Sequence, residues 1–504
     1  MGRMRVGWLS MVACASLAGC DARPLRYGVG DVGAGGREAS GGAAGGGMGD
    51  GGAGMRVEYR FGAPPNHQLD MLFVIDKSPS MLPFQQKLLA QFPVFMDVLK
   101  MLPTPDGSAT ELPDIHVAVT SSDTGPGRYD LPDRRCRFGG DRGQFQYQPR
   151  GACAVSPFDV VPPAQAFLAA QDDQRTKNYR GDISDAFACI AALGADGCAF
   201  SSPLEAARWA LDPVNPRPGN QGFLRPDADL AVVLFTNQDD CSVPDGSSLM
   251  DPAQDAMSDP LGPFSTFRCN EFGHVCLQNG RLEPPPRARP GALVGCVAGD
   301  TSTSRLTPIA DEVAFLKGLK SDPARLMVSV IAGPATPYQI ALQPRANRFG
   351  ALENQPQMLP SCTQAAGQLA VPSVRLQQWA EAFANHGLLQ SICANSFAAS
   401  LQLAATSLSA LVHQCVTPAL RDADPATPGL DPDCAVIDQT PAGQTAVPAC
   451  AATGGAPPCW RIGPGQNCEP DLSFFVTRVT APSQLVTTVS CAICRPGFAG
   501  AGCP

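Results

Sequence analysis

The chain has 504 residues and a formal charge of −9, with 37 Lys and Arg against 46 Asp and Glu. With no basic run anywhere, that balance excludes nucleic acid and anionic membrane surfaces as partners. The 51 Gly and 49 Pro predict one core-bearing region interrupted by long loops and linkers.

Arg3 and Arg5 precede an apolar stretch, VGWLSMVACASLAG, that is too short to span a bilayer stably. It ends in Leu-Ala-Gly-Cys at residues 17–20, which resembles a bacterial lipobox. Residues 1–19 therefore read as a lipoprotein signal peptide and Cys20 as the lipidated first residue of the mature chain. An ordinary secretory leader with a chance cysteine is the alternative. The expectation is an exported protein, held by its N-terminal lipid to the cell membrane or outer membrane of a bacterium. It lies in the periplasm or on the cell surface.

Residues 20–56 are dominated by Gly and Ala, cannot bury enough apolar surface to fold, and read as a flexible tether. From 57 to 416 strand-like and helix-like patterns alternate. MLFVID (71–76), DIHVAVTSS (114–122), DLAVVLFTN (229–237) and LMVSVIAG (326–333) are nearly continuous apolar runs, as expected of strands buried on both faces. Three-to-four spacing predicts helices over 84–102, 203–212, 308–320 and 376–413. The fold class predicted is α/β: a mostly parallel, doubly wound sheet with helices on both faces. Residues 124–200 and 241–305 break the rhythm and read as disulfide-pinned insertions, and 417–504 as a small β-rich, cysteine-rich region.

Setting aside Cys14 and Cys20, 18 of the 20 cysteines remain, an even number that suits as many as nine disulfides in an exported chain. Proximity in sequence suggests Cys136 with Cys153, Cys189 with Cys198, and Cys450 with Cys459. Zinc is the competing use, but Cys269, His274 and Cys276, like Cys491 and Cys494, lack a second ligand pair at finger-like spacing.

On the parallel-sheet reading Asp76 ends its strand and Ser78 and Ser80 follow in the turn, at the edge where α/β sheets bind ligands. Three oxygens at i, i+2 and i+4 suit a hard cation, Mg²⁺, Mn²⁺ or Ca²⁺. Helix capping by the serines and a local turn at Asp76 are the plainer readings. The pattern resembles the metal-ion-dependent adhesion site of von Willebrand factor A domains, Asp-x-Ser-x-Ser. That resemblance covers roughly residues 66–415. It implies a second element at Ser201 or Ser202 and a third at Asn237, where the family carries Asp. Pro79 replaces the usual Gly and pushes Ser78 toward extended angles. Asn237 removes a carboxylate, which Asp239 or Asp240 is placed in sequence to restore.

The resemblance implies a domain that binds or adheres to an unidentified protein, whose acidic side chain completes the coordination of the cation. A structural envelope protein with a decayed metal site is the alternative. Enzymatic activity is not expected. The five histidines (67, 116, 274, 386 and 413) are scattered, and no Gly-x-Ser-x-Gly elbow, phosphate-binding glycine loop or HExxH helix occurs.

Overall fold

The computed structural model describes residues 55–61, 68–101, 111–131, 135–151, 153–321, 325–347, 350–364, 367–398, 401, 414–416, 419–427, 429–440, 442–464, 472–478, 486–494 and 502–503. The leader, Cys20 and most of the tether lie outside the described residues.

The largest sheet has seven strands, in the spatial order Gly387–Ser391, Leu326–Ala332, Asp229–Phe235, Gln68–Ile75, Asp114–Ser121, Leu168–Gln171 and Thr176–Lys177. The first five run parallel, Leu168–Gln171 pairs antiparallel with Asp114–Ser121, and Thr176–Lys177 pairs antiparallel with Leu168–Gln171. Its central strand shows why an unbroken apolar run is needed. Leu69, Met71, Phe73 and Ile75 point into one core and Leu72 and Val74 into another, while the buried Asp70 of the same strand is paired with Arg225 at 2.8 Å. On the first face, Phe73 meets Phe92 of the Leu82–Leu99 helix and Phe187 of the Ile183–Ala191 helix edge-on, at 5.7 and 4.8 Å, while Phe92 and Phe187 stack at 3.7 Å. The second face carries Leu204, Leu316 and Trp379 from three further helices. Each buried aromatic contributes about 1.5–3 kcal/mol of transfer energy.

The expectation of a mostly parallel, doubly wound α/β fold is overturned for the chain as a whole. Among the described residues strand outweighs helix, and four of the five sheets are entirely antiparallel. The physical reason lies in the segments that read as irregular. Within 241–305, Cys269–Gly273 ends a short helix, and His274–Gln278, Arg281–Glu283 and Gly291–Ala298 then form a ladder. Tyr338–Ala346 and Leu352–Met358 extend that ladder to five strands. Their mixed polar and apolar composition masks a period of two. The C-terminal sheet recruits Met55–Phe61 as a strand against Val486–Ile493, joining the end of the tether region to the tail.

The helix predicted over 376–413 is also corrected. Among the described residues it is interrupted: helix spans Val374–Glu381, a 3-10 turn at Ala384–His386 and the edge strand Gly387–Ser391 follow, and Ala398 and Leu401 are helical again. Gly387 marks the break, since a Cβ there would stand 1.9 Å from the carbonyl oxygen of Ala380.

Eight disulfides join described residues. They place the protein in an oxidising, exported or extracellular setting. Cys450 bonds Cys459 as its nine-residue separation suggests. The other two expected pairs exchange partners: Cys136 bonds Cys198 and Cys153 bonds Cys189. The second bridge ties residue 153 to the Ile183–Ala191 helix, and the first closes around it. Nesting of this kind is invisible to proximity along the chain. Among the described residues no helix is long and apolar enough to cross a membrane.

Candidate functional site

The carboxyl ends of the two central strands bring Asp76 and Thr236 together. Ile75 pairs with Phe235, and Asp76 N–H then donates to the Phe235 carbonyl at 2.9 Å, so the next residue on each strand enters the same loop layer. Asp76 has no solvent exposure. Its Oδ2 accepts from Thr236 Oγ1 at 2.6 Å and its Oδ1 from the Ser78 N–H at 2.7 Å. Burial pushes this carboxyl above the ordinary carboxylate range, while hydrogen bonds from Thr236, Ser78 and Ser201 pull it back. Gln85, from the helix that follows, donates to the Asp76 and Gly194 carbonyls and fixes the loop from below.

Ser78 is extended, with φ −61° and ψ 157°, as the following Pro79 requires. It occupies the N-cap position of the Pro79–Met81 turn, yet its side chain makes no capping hydrogen bond. Its Oγ instead lies 3.5 Å from Ser80 Oγ and accepts from Gln238 Nε2 at 3.3 Å. Asn237 Nδ2 donates to Ser80 Oγ at 3.0 Å and to the Leu369 carbonyl at 2.9 Å. Of the two serines before the Pro203–Leu211 helix, Ser201 faces the site, bonding Ser122 Oγ at 2.8 Å and lying 3.5 Å from Thr236 Oγ1. Ser202 is the N-cap residue and its side chain makes no capping bond.

Asp239 and Asp240 do not reach back to Asp76, and the expectation that they restore the charge lost at Asn237 is corrected. Asp239 accepts from the backbone N–H of Arg375 and Leu376 at 2.9 and 3.1 Å, capping the Val374–Glu381 helix, and lies 3.0 Å from His274 Nε2. Burial works to raise its carboxyl. The bond and charge of His274, with the N–H groups of Arg375 and Asp240, hold it below the ordinary range. Asp240 pairs with Arg375 and accepts from the Leu204 N–H and the Ser242 hydroxyl. Both acids hold the second sheet and a helix onto the first sheet.

Lys77 makes no ion pair with Asp76 and turns instead toward the end of the Asp114–Ser121 strand. Its Nζ lies 2.8 Å from Asp141 Oδ2 and 3.5 Å from Asp123 Oδ2.

Thr236, Ser122 and Gln238 complete the polar shell and were not singled out as site residues by the sequence pattern. The signal for the first two was present in hydroxyls that end buried strands, in VVLFT and AVTSS. Beside the shell opens a cleft of about 650 Å³, whose lining includes Ser80, Asn237, Phe200, Arg345, Met358 and Leu369.

The side chains that surround Asp76 are all oxygen donors or amides, a set suited to a hard divalent cation and unsuited to a soft one. Among the described residues no group of three or more His, Cys, Asp or Glu side chains is placed to hold a metal. Any ion here would therefore be held by one carboxylate and several neutral oxygens.

No family model matches the chain, and no curated protein matches it. Among solved structures it is similar to the adhesive tip pilin GBS104 from Group B Streptococcus agalactiae. The identity is 8% and the TM-score 0.25, over 88% of this chain and 82% of that one.

Proposed function

We propose that this is an exported binding protein, tethered to the cell envelope through Cys20. On this reading its strand-end site holds a divalent cation and offers it to an acidic side chain of a partner protein. The observation that carries the reading is the isolation of Asp76. A carboxylate with no exposure meets only hydroxyls and an N–H, and among the described residues no basic side chain pairs with it. Lys77, next in sequence, is committed to Asp141 and Asp123. Burying a carboxylate without a counter-charge is costly; the bonds from Thr236 and Ser78 offset part of that cost, and a proton or a cation would remove the rest.

Asp76, Ser78 and Ser80 are the residues that would hold the ion, with Asn237 and Ser201 beside them. When bound, it supplies a positive centre with charge left over, which makes an incoming carboxylate a favourable ligand. The remaining work falls to the chain itself. Thr236 and the Ser78 N–H orient Asp76, Gln85 fixes the loop, and the cleft beside Ser80 gives a partner segment access. Pull-down from envelope extracts, with and without chelator, tests this. The expected result is a partner captured in Mg²⁺ and lost on chelation or with Asp76→Ala. Capture indifferent to both would contradict it. Labelling with a fatty-acid analogue tests the tether, and Cys20→Ser is expected to lose the label.

One observation favours the alternative of a structural envelope protein without a metal. Asn237 stands where a second carboxylate is needed, and its amide is already satisfied by Ser80 and Leu369.

A further inference from the structure

A second cavity, of about 370 Å³, lies where the two insertions meet over the Pro203–Leu211 helix. Arg128, Arg142 and Arg217 line it, with Phe138, Trp209 and Val243 as its main apolar surfaces. None of the three guanidinium groups forms a salt bridge among the described residues. Arg128 donates to the Tyr129 hydroxyl, Arg142 lies over Phe138 at 5.4 Å, and Arg217 over Trp209 at 5.7 Å. Elsewhere in this acidic protein Arg56, Arg180, Arg225, Arg287, Arg375 and Arg478 each meet a carboxylate. Arg128 and Arg142 are exposed, and Arg217 is half-buried with its Nε buried and without a hydrogen-bond partner among the described residues, so the cavity presents positive charge that favours an anion.

The loop that carries Arg142 is built to hold it there. Arg142 has φ +53°, a left-handed conformation that disfavours a side chain. Gly139 leaves room for it, since a Cβ there would stand 2.3 Å from Arg142 Nε. Gly143 lets the loop lie flush on the helix, where a Cβ would meet Ala210 N at 2.6 Å. The Cys136–Cys198 disulfide and the ion pair of neighbouring Asp141 with Lys77 pin the same loop. A strained, non-glycine residue held by this much surrounding structure points to a use for its side chain.

Two acids also line the cavity. Asp245 is exposed at the rim; Glu205 is buried, and burial pushes its carboxyl up to about 8, so it stays largely uncharged at neutral pH. The charge balance in the cavity remains positive.

We infer that this cavity is a binding site for a small ring-bearing oxyanion, a sulfate or phosphate ester. The arginines take the oxyanion and Phe138, Trp209 and Val243 take the ring. The test is calorimetric titration of the full chain with four probes: inorganic sulfate, inorganic phosphate, phenyl sulfate and phenyl phosphate. Saturable, salt-sensitive binding of at least one ester is expected, tenfold or more tighter than its inorganic ion. Which ester binds identifies the oxyanion. Arg142→Gln and Arg217→Gln should each weaken that binding at least fivefold. Arg142→Gly separates function from folding: it relieves the left-handed strain, so it should melt no lower than wild type while losing the ester. Failure of all four probes to bind, inorganic ions binding as tightly as the esters, unchanged affinity in Arg142→Gln, or a lower melting temperature in Arg142→Gly would each overturn the inference.

Discussion

Asp240 Oδ2 and Arg375 Nη2 lie 3.0 Å apart with neither side chain exposed. The pair joins the loop after the Asp229–Phe235 strand to the first turn of the Val374–Glu381 helix. It is the reason that Asp240 cannot serve the strand-end site. Desolvating both charges makes such a pair weak evidence of net stability, but breaking it leaves an uncompensated buried guanidinium. Asp240→Asn is therefore expected to cost about 3–5 kcal/mol in chemical denaturation. Divalent-cation affinity of the protein that remains folded should be unchanged, whereas a loss of affinity without loss of stability would place Asp240 in the site.

Stability should fall as pH rises through neutrality. Burial pushes Glu205 up to about 8 and Glu312 up to about 7, both from an ordinary value of 4.5. Above that ordinary value the folded chain therefore holds protons that the unfolded chain has released, and stability declines until both folded groups have ionised. His116, pushed down to about 4 by burial, acts in the opposite sense, but only below its ordinary 6.5. The decline between pH 6.5 and 8 should come to about 2 kcal/mol. Thermal melts across that window should flatten in a Glu205→Gln, Glu312→Gln double variant. A wild-type profile that rises across it would contradict the assignment.

The disulfide pairing makes a separate prediction. A peptide map under non-reducing conditions should link Cys136 to Cys198 and Cys153 to Cys189. Replacing both Cys136 and Cys198 by Ala opens a loop with a sequence separation of 62. Loop-closure entropy puts the cost at about 4 kcal/mol. Peptides linking Cys136 to Cys153 would refute the nested arrangement.

What was legible in the sequence was the part governed by local pattern. The runs ending at Asp76 and Thr236 are apolar on both faces because two cores press on them, and that leaves few other assignments. Asp76, Ser78 and Ser80 follow from the loop at the end of such a strand. What depends on distant pairing was hidden. Asp239 and Asp240 look available beside Asn237, and only the arrival of His274 and Arg375 from other elements commits them. The residues of Gly387–Ser391 carry helical spacing with their neighbours and become a strand because the Leu326–Ala332 strand offers a free edge. The hairpin His274–Gln278 to Arg281–Glu283 turns on Asn279-Gly280, a local signal missed in the sequence, whereas the pairings of Gly291–Ala298 with His274–Gln278 and with Tyr338–Ala346 span tens of residues, to which composition is blind.

The central claim is that Asp76 is neutralised by a divalent cation rather than by a proton. Calorimetric titration of Mg²⁺ and Mn²⁺ into wild type, Asp76→Ala, Ser78→Ala and Asn237→Asp tests it most directly. Saturable binding is expected in the wild type, weaker in Ser78→Ala and absent in Asp76→Ala. Asn237→Asp should bind about tenfold more tightly, the effect of roughly a kcal/mol from a second carboxylate beside a partly exposed ion. A flat titration in both the wild type and Asn237→Asp would contradict the account, leaving a protonated Asp76 in a structural site.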